Sequence, residues 1–198
     1  MNLSDLAVKS IIGWECDGEA GYNRHPEWPG ESSGITIGIG YDLGMTPANE
    51  ITKAWGPHVS AADLEVLVGL SGTTGERAQA LLPHVRHLKI EWQTAQTVFL
   101  KTTLPTHYGR TVRVYPETET IHGHCAGALV SLVFNRGPKM ASSDGRRDEM
   151  AAIQKLLKEG NLEAIPAQFR KMKRLWPNSS GLRRRRDEEA DLFQLGLA

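Results

Sequence analysis

The chain has 198 residues, a length that suits one domain or one domain with a small lobe. Apolar residues make up 40%, enough for a real core and too many for a disordered tail. Lys plus Arg total 23 and so do Asp plus Glu, so net charge gives no support for a nucleic-acid partner, and none is expected.

Residues 3 to 15 read as a helix, with Leu3, Leu6, Ala7, Ile11 and Trp14 on one face and Ser4 as its N-cap. The opening MNLSDLAVKSII lacks a basic start, a long apolar run and a small-residue cleavage site, so no signal peptide is expected. No stretch reaches membrane-spanning length. Synthesis in the cytoplasm is therefore expected, with some other device for delivery elsewhere. Residues 16–33 carry turn formers and no sustained period, and read as loop or short hairpin. Ile35, Ile37 and Ile39 then alternate as in a strand. A small β lobe over about 16–58 follows from this.

Most of the remainder is expected to be helical. SAAD at 60–63 and TTGE at 73–76 are capping-box patterns. Apolar spacing runs through Val85, Leu88, Trp92, Ala95 and Phe99. Residues 106–119 read as a connection or brief extended piece. Residues 120–136 are apolar on nearly all sides late on, which predicts a buried central helix. RRDEMAAIQKLLKEG is an amphipathic helix closed by Gly160, Asn161 can cap the next helix, and LRRRRDEEADLF is the last. The expected fold class is α+β and mostly helical, a single domain in which residues 1–15 and 59–198 form the larger helical lobe.

Four glycines, at 34, 38, 40 and 44, crowd one stretch. Missing side chains would let a bulky ligand lie against the backbone. Glu15 stands where an apolar helical stripe meets a Gly- and Pro-rich loop, a place that suits a general acid. Asp42 follows the glycine stretch, where it also reads as a turn residue, and Thr36 offers a hydroxyl for a water. Two carboxylates flanking a groove are the minimum for hydrolysing a glycosidic bond. Cys16 and Cys125 form no CxxC pair and read as two thiols, with pairing left open. The histidines show no zinc-ligand spacing, so no metal and no cofactor is expected. Trp28, in the loop before the strand, could stack on a sugar, and the other tryptophans read as packing. The run Arg183 to Arg186, followed at once by acids, reads as a solvated helical face with i,i+4 pairs.

TIGIGYDLG after an upstream glutamate resembles the phage-type muramidases of glycoside hydrolase family 24, and their pesticin-like branch most, where an aspartate follows the TxGxG threonine by six positions. ALVSLVFNRG (128–137), MKRLW and GLRRRRDEEADLF (181–193) resemble the central and C-terminal helices of the same enzymes, in family order. The resemblance implies a lysozyme-like fold with a cleft between its lobes. It also implies cleavage of the β-1,4 bond between N-acetylmuramic acid and N-acetylglucosamine in peptidoglycan. Glu15 then maps to the catalytic acid, Thr36 to the threonine that places water and Asp42 to the second carboxylate. Asn135 maps to a substrate-facing amide. Arg184 maps to the arginine beside the acid, with the register of the four-arginine run open by one.

Two features depart from the simple phage enzymes, whose aspartate precedes the threonine. Glu31 occupies that region here and is a rival second carboxylate in contact with substrate, and Tyr41 stands where they carry histidine. Inversion is expected, because a water must fit between the carboxyls. A lytic transglycosylase and an inactive peptidoglycan-binding module are the alternatives. The implied partner is the glycan strand, with the chain acting as a monomer in the periplasm of a host or target bacterium. It would be delivered through a holin or a secretion system, in the latter case with an immunity protein as counterpart.

Overall fold

The structure, a computed structural model, describes all residues from 1 to 198. The helices are α1 (Asp5–Cys16), α2 (Gly18–Gly21), α3 (Ala48–Trp55), α4 (Ala61–Gly69), α5 (Gly75–Val85), α6 (Trp92–Val98), α7 (Leu104–Val114), α8 (Gly123–Arg136), α9 (Asp148–Lys158), α10 (Ile165–Lys171) and α11 (Ser180–Leu195). The one sheet is an antiparallel pair, β1 (Thr36–Ile37) and β2 (Tyr41–Asp42). Mostly helical with a small sheet, the chain is α+β as expected. No helix is long and apolar enough to cross a membrane. Two compact units divide the chain, one made of Met1–Trp14 with Pro105–Ala198 and the other of Glu15–Leu104.

The first unit is organised on α8. Nine consecutive residues, Cys125 to Val133, are buried, as the all-round apolar pattern requires. Ile153, Leu157, Phe169 and Phe193, from α9, α10 and α11, complete the same core. Ser4 caps α1, its Oγ accepting from the Ala7 N–H at 3.1 Å. The buried face of α1 is Ala7, Ile11 and Ile12, while Leu6 is left 44% exposed. The expected stripe is thus rotated, because close approach occurs at Ala7, opposite Gly127 of α8, where any Cβ would collide.

Residues 106–114 are helical, against the expectation of a connection. Tyr108, Thr111 and Tyr115 recur at helical spacing and are buried, so the period is carried by polar-tipped side chains rather than aliphatic ones. A π-helical turn, Phe99–Thr103, precedes Pro105, a residue that has no N–H to give to a regular helix.

In the second unit Ile35, Ile37, Ile39, Leu43, Ile51 and Trp55 are buried, with Tyr41 edge-on to Trp55 at 5.5 Å between ring centres. Ser60 caps α4 through the Asp63 N–H. The TTGE pattern implies a cap at Thr73, but α5 is preceded by Thr74 at the N-cap, and the Thr74 side chain makes no cap bond.

Candidate active site

The glycine-rich stretch is a hairpin. Thr36 pairs with Asp42 and Ile37 with Tyr41. Gly38 and Gly40 take left-handed φ angles of 59° and 65°, which turns the chain between the strands at little steric cost. The other two glycines serve close packing of the chain on itself. A Cβ on Gly34 would overlap the Asp42 carboxylate and come within 2.5 Å of the Gly44 backbone, and one on Gly44 would overlap the Thr73 carbonyl. At Gly34 and Gly44 what approaches this backbone is the protein's own chain, so these two glycines serve self-packing rather than room for a ligand.

The strand register sets the outer face. Ile35 and Ile37 point into the core, at 1% and 2% exposure, so Thr36 between them faces the other way. Thr36 is also bridged to Glu27, its N–H donating to the Glu27 carbonyl at 2.8 Å and its carbonyl accepting from the Glu27 N–H at 3.0 Å. Residues directly opposite in an antiparallel pair share a face, with Cβ atoms about 4.5–5.5 Å apart. Glu27, Thr36 and Asp42 therefore form one row, with the hydroxyl-bearing residue in the middle.

The three candidate carboxylates differ in how they are held. Asp42 accepts the Gly34 N–H on Oδ2 and the Met45 N–H on Oδ1, both at 3.0 Å, and its carbonyl takes the Thr46 hydroxyl. Glu31 sits in the turn between the two bridges, exposed and with a left-handed φ of 49°. Glu27 is exposed, and its Oε2 accepts from the Asn23 amide at 3.2 Å.

Glu15, half-buried in the last turn of α1, belongs to the same unit as this row. Its neighbour Cys16 reports on the surroundings. The thiol is pushed up to about 11, by burial first, and the carboxylates of Glu15, Asp17 and Glu27 add to the rise. Glu15 and Glu27 thus both act on one sulfur. Sequence reasoning missed Glu27, because a bridge nine residues ahead of Thr36 leaves no local pattern. The extended HPEWP segment, with Pro26 and Pro29 restricting the residues before them, was the available signal.

Asn135 and Arg184 belong to the other unit, Asn135 exposed near the end of α8. Arg184 is largely exposed and lies 3.7 Å from Glu188. The arginine run is not a uniformly solvated face, which corrects that expectation. Arg185 and Arg186 are buried and converge on Glu189, at 3.3 and 2.7 Å, with Ser131 of α8 bonded to both Glu189 and Arg185. Arg185 also lies over the Trp14 ring at 5.9 Å, one residue from Glu15 in sequence. Of the remaining expected residues, Trp28 is half-buried and donates its indole N–H to the Ser33 carbonyl at 3.0 Å. Both cysteines are free thiols.

The crystal structure of the active form of P1 phage endolysin Lyz is similar to this chain, with a TM-score of 0.58 and 16% identity, over 100% of this chain and 88% of that one. At that identity the likeness speaks to the fold, which is lysozyme-like. No curated protein matches the sequence. The family described as "Domain of unknown function (DUF8812)" matches residues 11–126, more than half of the chain and the part that holds Glu15 and the hairpin. The chain belongs to that family.

Proposed function

We propose that the protein is a peptidoglycan hydrolase, a muramidase related to the pesticin-like branch of glycoside hydrolase family 24. It would cleave the β-1,4 bond between N-acetylmuramic acid and N-acetylglucosamine. The observation that carries this reading is the outward row of the hairpin, a threonine flanked by carboxylates in the same compact unit as Glu15 at its helix end. Likeness of the whole chain to a phage endolysin fold supports it.

In this reading Glu15 protonates the glycosidic oxygen as the bond breaks. Thr36 holds the attacking water with its hydroxyl, and the second carboxylate is one of the two acids that share its face, Asp42, as the sequence implies, or Glu27. Inversion is the expected outcome, which calls for carboxyls about 6.5–9.5 Å apart with a water between them. Delivery to the wall would use a holin or a secretion system.

The test is product analysis on purified sacculi. Release of reducing muropeptide ends is expected, whereas 1,6-anhydro ends would assign a lytic transglycosylase, and binding without release a wall-binding module. Glu15→Gln should abolish release and leave the circular dichroism spectrum unchanged. Full activity in that variant removes Glu15 from its role.

A further inference from the structure

We propose that Glu27 is the general base, the group that takes the proton of the attacking water, an assignment that rests on the muramidase reading above. Its register carries the argument. The paired backbone bonds between Glu27 and Thr36 put both side chains on one face, away from the buried isoleucines. A base must reach the water that the threonine hydroxyl holds, and Glu27 is a direct cross-strand neighbour of that hydroxyl.

The two carboxylates expected from sequence are held otherwise. Both oxygens of Asp42 accept backbone N–H groups, from Gly34 before β1 and from Met45 after β2. That carboxylate closes the hairpin, and turning it toward a water would strand two amides. Glu31 stands in the turn between the bridges, outside the row. Glu27 is exposed and accepts one bond from an exposed asparagine side chain, a contact that can exchange for water at little cost.

The step balances without a further reactant. The water oxygen bonds to the anomeric carbon while its proton passes to Glu27. The glycosidic C–O bond breaks, its electron pair staying on the leaving oxygen, which takes the proton of Glu15. Glu27 then releases its proton to solvent and Glu15 takes one up.

Four variants of the full chain on purified sacculi test this: Glu27→Gln, Glu27→Ala, Asp42→Asn and Glu31→Gln. Glu27→Gln is expected to lower kcat by about 100-fold or more, the range of a lost general base, with KM and melting temperature near wild type. Formate should restore turnover to Glu27→Ala by accepting the proton in place of the missing carboxylate. Asp42→Asn should lower the melting temperature together with activity, and Glu31→Gln should be close to wild type. A Glu27→Gln enzyme within threefold of wild-type kcat overturns the assignment, and so does a Glu27→Ala loss that formate leaves untouched. If the wild-type chain itself releases no reducing ends, the muramidase reading fails and takes this assignment with it. That result is distinct from a failure seen only in the variants.

Discussion

His107 shows how one side chain can tie stability to pH. Its ring stacks on Phe134 with centroids 3.9 Å apart, and its Nδ1 is buried without a partner. Burial, with a smaller contribution from the Arg110 charge, holds the imidazole down to about 3, against an ordinary value near 6.5. The folded state therefore keeps a neutral ring where the unfolded chain binds a proton. Stability rises with pH across that window and is lost as pH falls through it, by about 1.4 kcal/mol per pH unit from this group. Urea unfolding at pH 7, 6, 5 and 4 should show the wild type losing that much more per unit than His107→Leu below pH 6. Parallel curves would mean that the ring takes up a proton in the folded protein.

Capping boxes at the level of the element look alike in sequence and diverge in structure. Ser60 Oγ accepts the Asp63 N–H at 3.1 Å and donates to the Asp63 carboxylate at 2.8 Å. Thr74 is followed by Gly75 at a left-handed φ of 63°, and it makes no side-chain bond to the first turn of α5. Ser60→Ala should cost about 1 kcal/mol, and Thr74→Ala less than about 0.5. In thermal melts that is roughly 2–4 °C against almost nothing. The same contrast runs through the fold. Where apolar residues carry the period, as in α8, the helix was legible. In α7 and the residue after it the period lies on Tyr108, Thr111 and Tyr115 and escapes an aliphatic pattern, since their burial depends on neighbours far along the chain. The alternating isoleucines predict one strand, whereas the chain reverses at residues 38–40 with Ile39 in the turn, and neither that reversal nor the third member of the outer row follows from the apolar alternation. Glu27 enters by a long-range register, and Arg185 and Arg186 keep a local partner in Glu189, at i+4 and i+3, while their burial, with Ser131 of α8 bonded to Arg185 and Glu189, depends on packing far along the chain.

Neutrality of the whole molecule conceals a division of charge. The unit Glu15–Leu104 holds 6 Lys and Arg against 11 Asp and Glu, and the remaining residues hold 17 against 12. One unit is therefore net negative by five and the other net positive by five, a separation that the total of zero hides. If the chain acts on peptidoglycan as proposed, a wall polymer bearing peptide carboxylates meets local charge rather than the sum, because screening cuts the field to about 30 Å at 0.01 M salt and about 10 Å at 0.1 M. Attraction to the basic unit should speed association with sacculi at low salt. The rate of sacculus clearing is thus expected to fall severalfold between 10 and 200 mM NaCl, even though the protein is formally neutral. Replacing the exposed Lys139, Lys158 and Lys171 with Glu should flatten that dependence without changing kcat on short soluble muropeptides. These lysines are remote in sequence from Glu15 and the hairpin, so altered turnover on the short substrates would assign the effect to chemistry instead of encounter. A clearing rate that is level across the salt range would show that the uneven charge plays no part in reaching the wall.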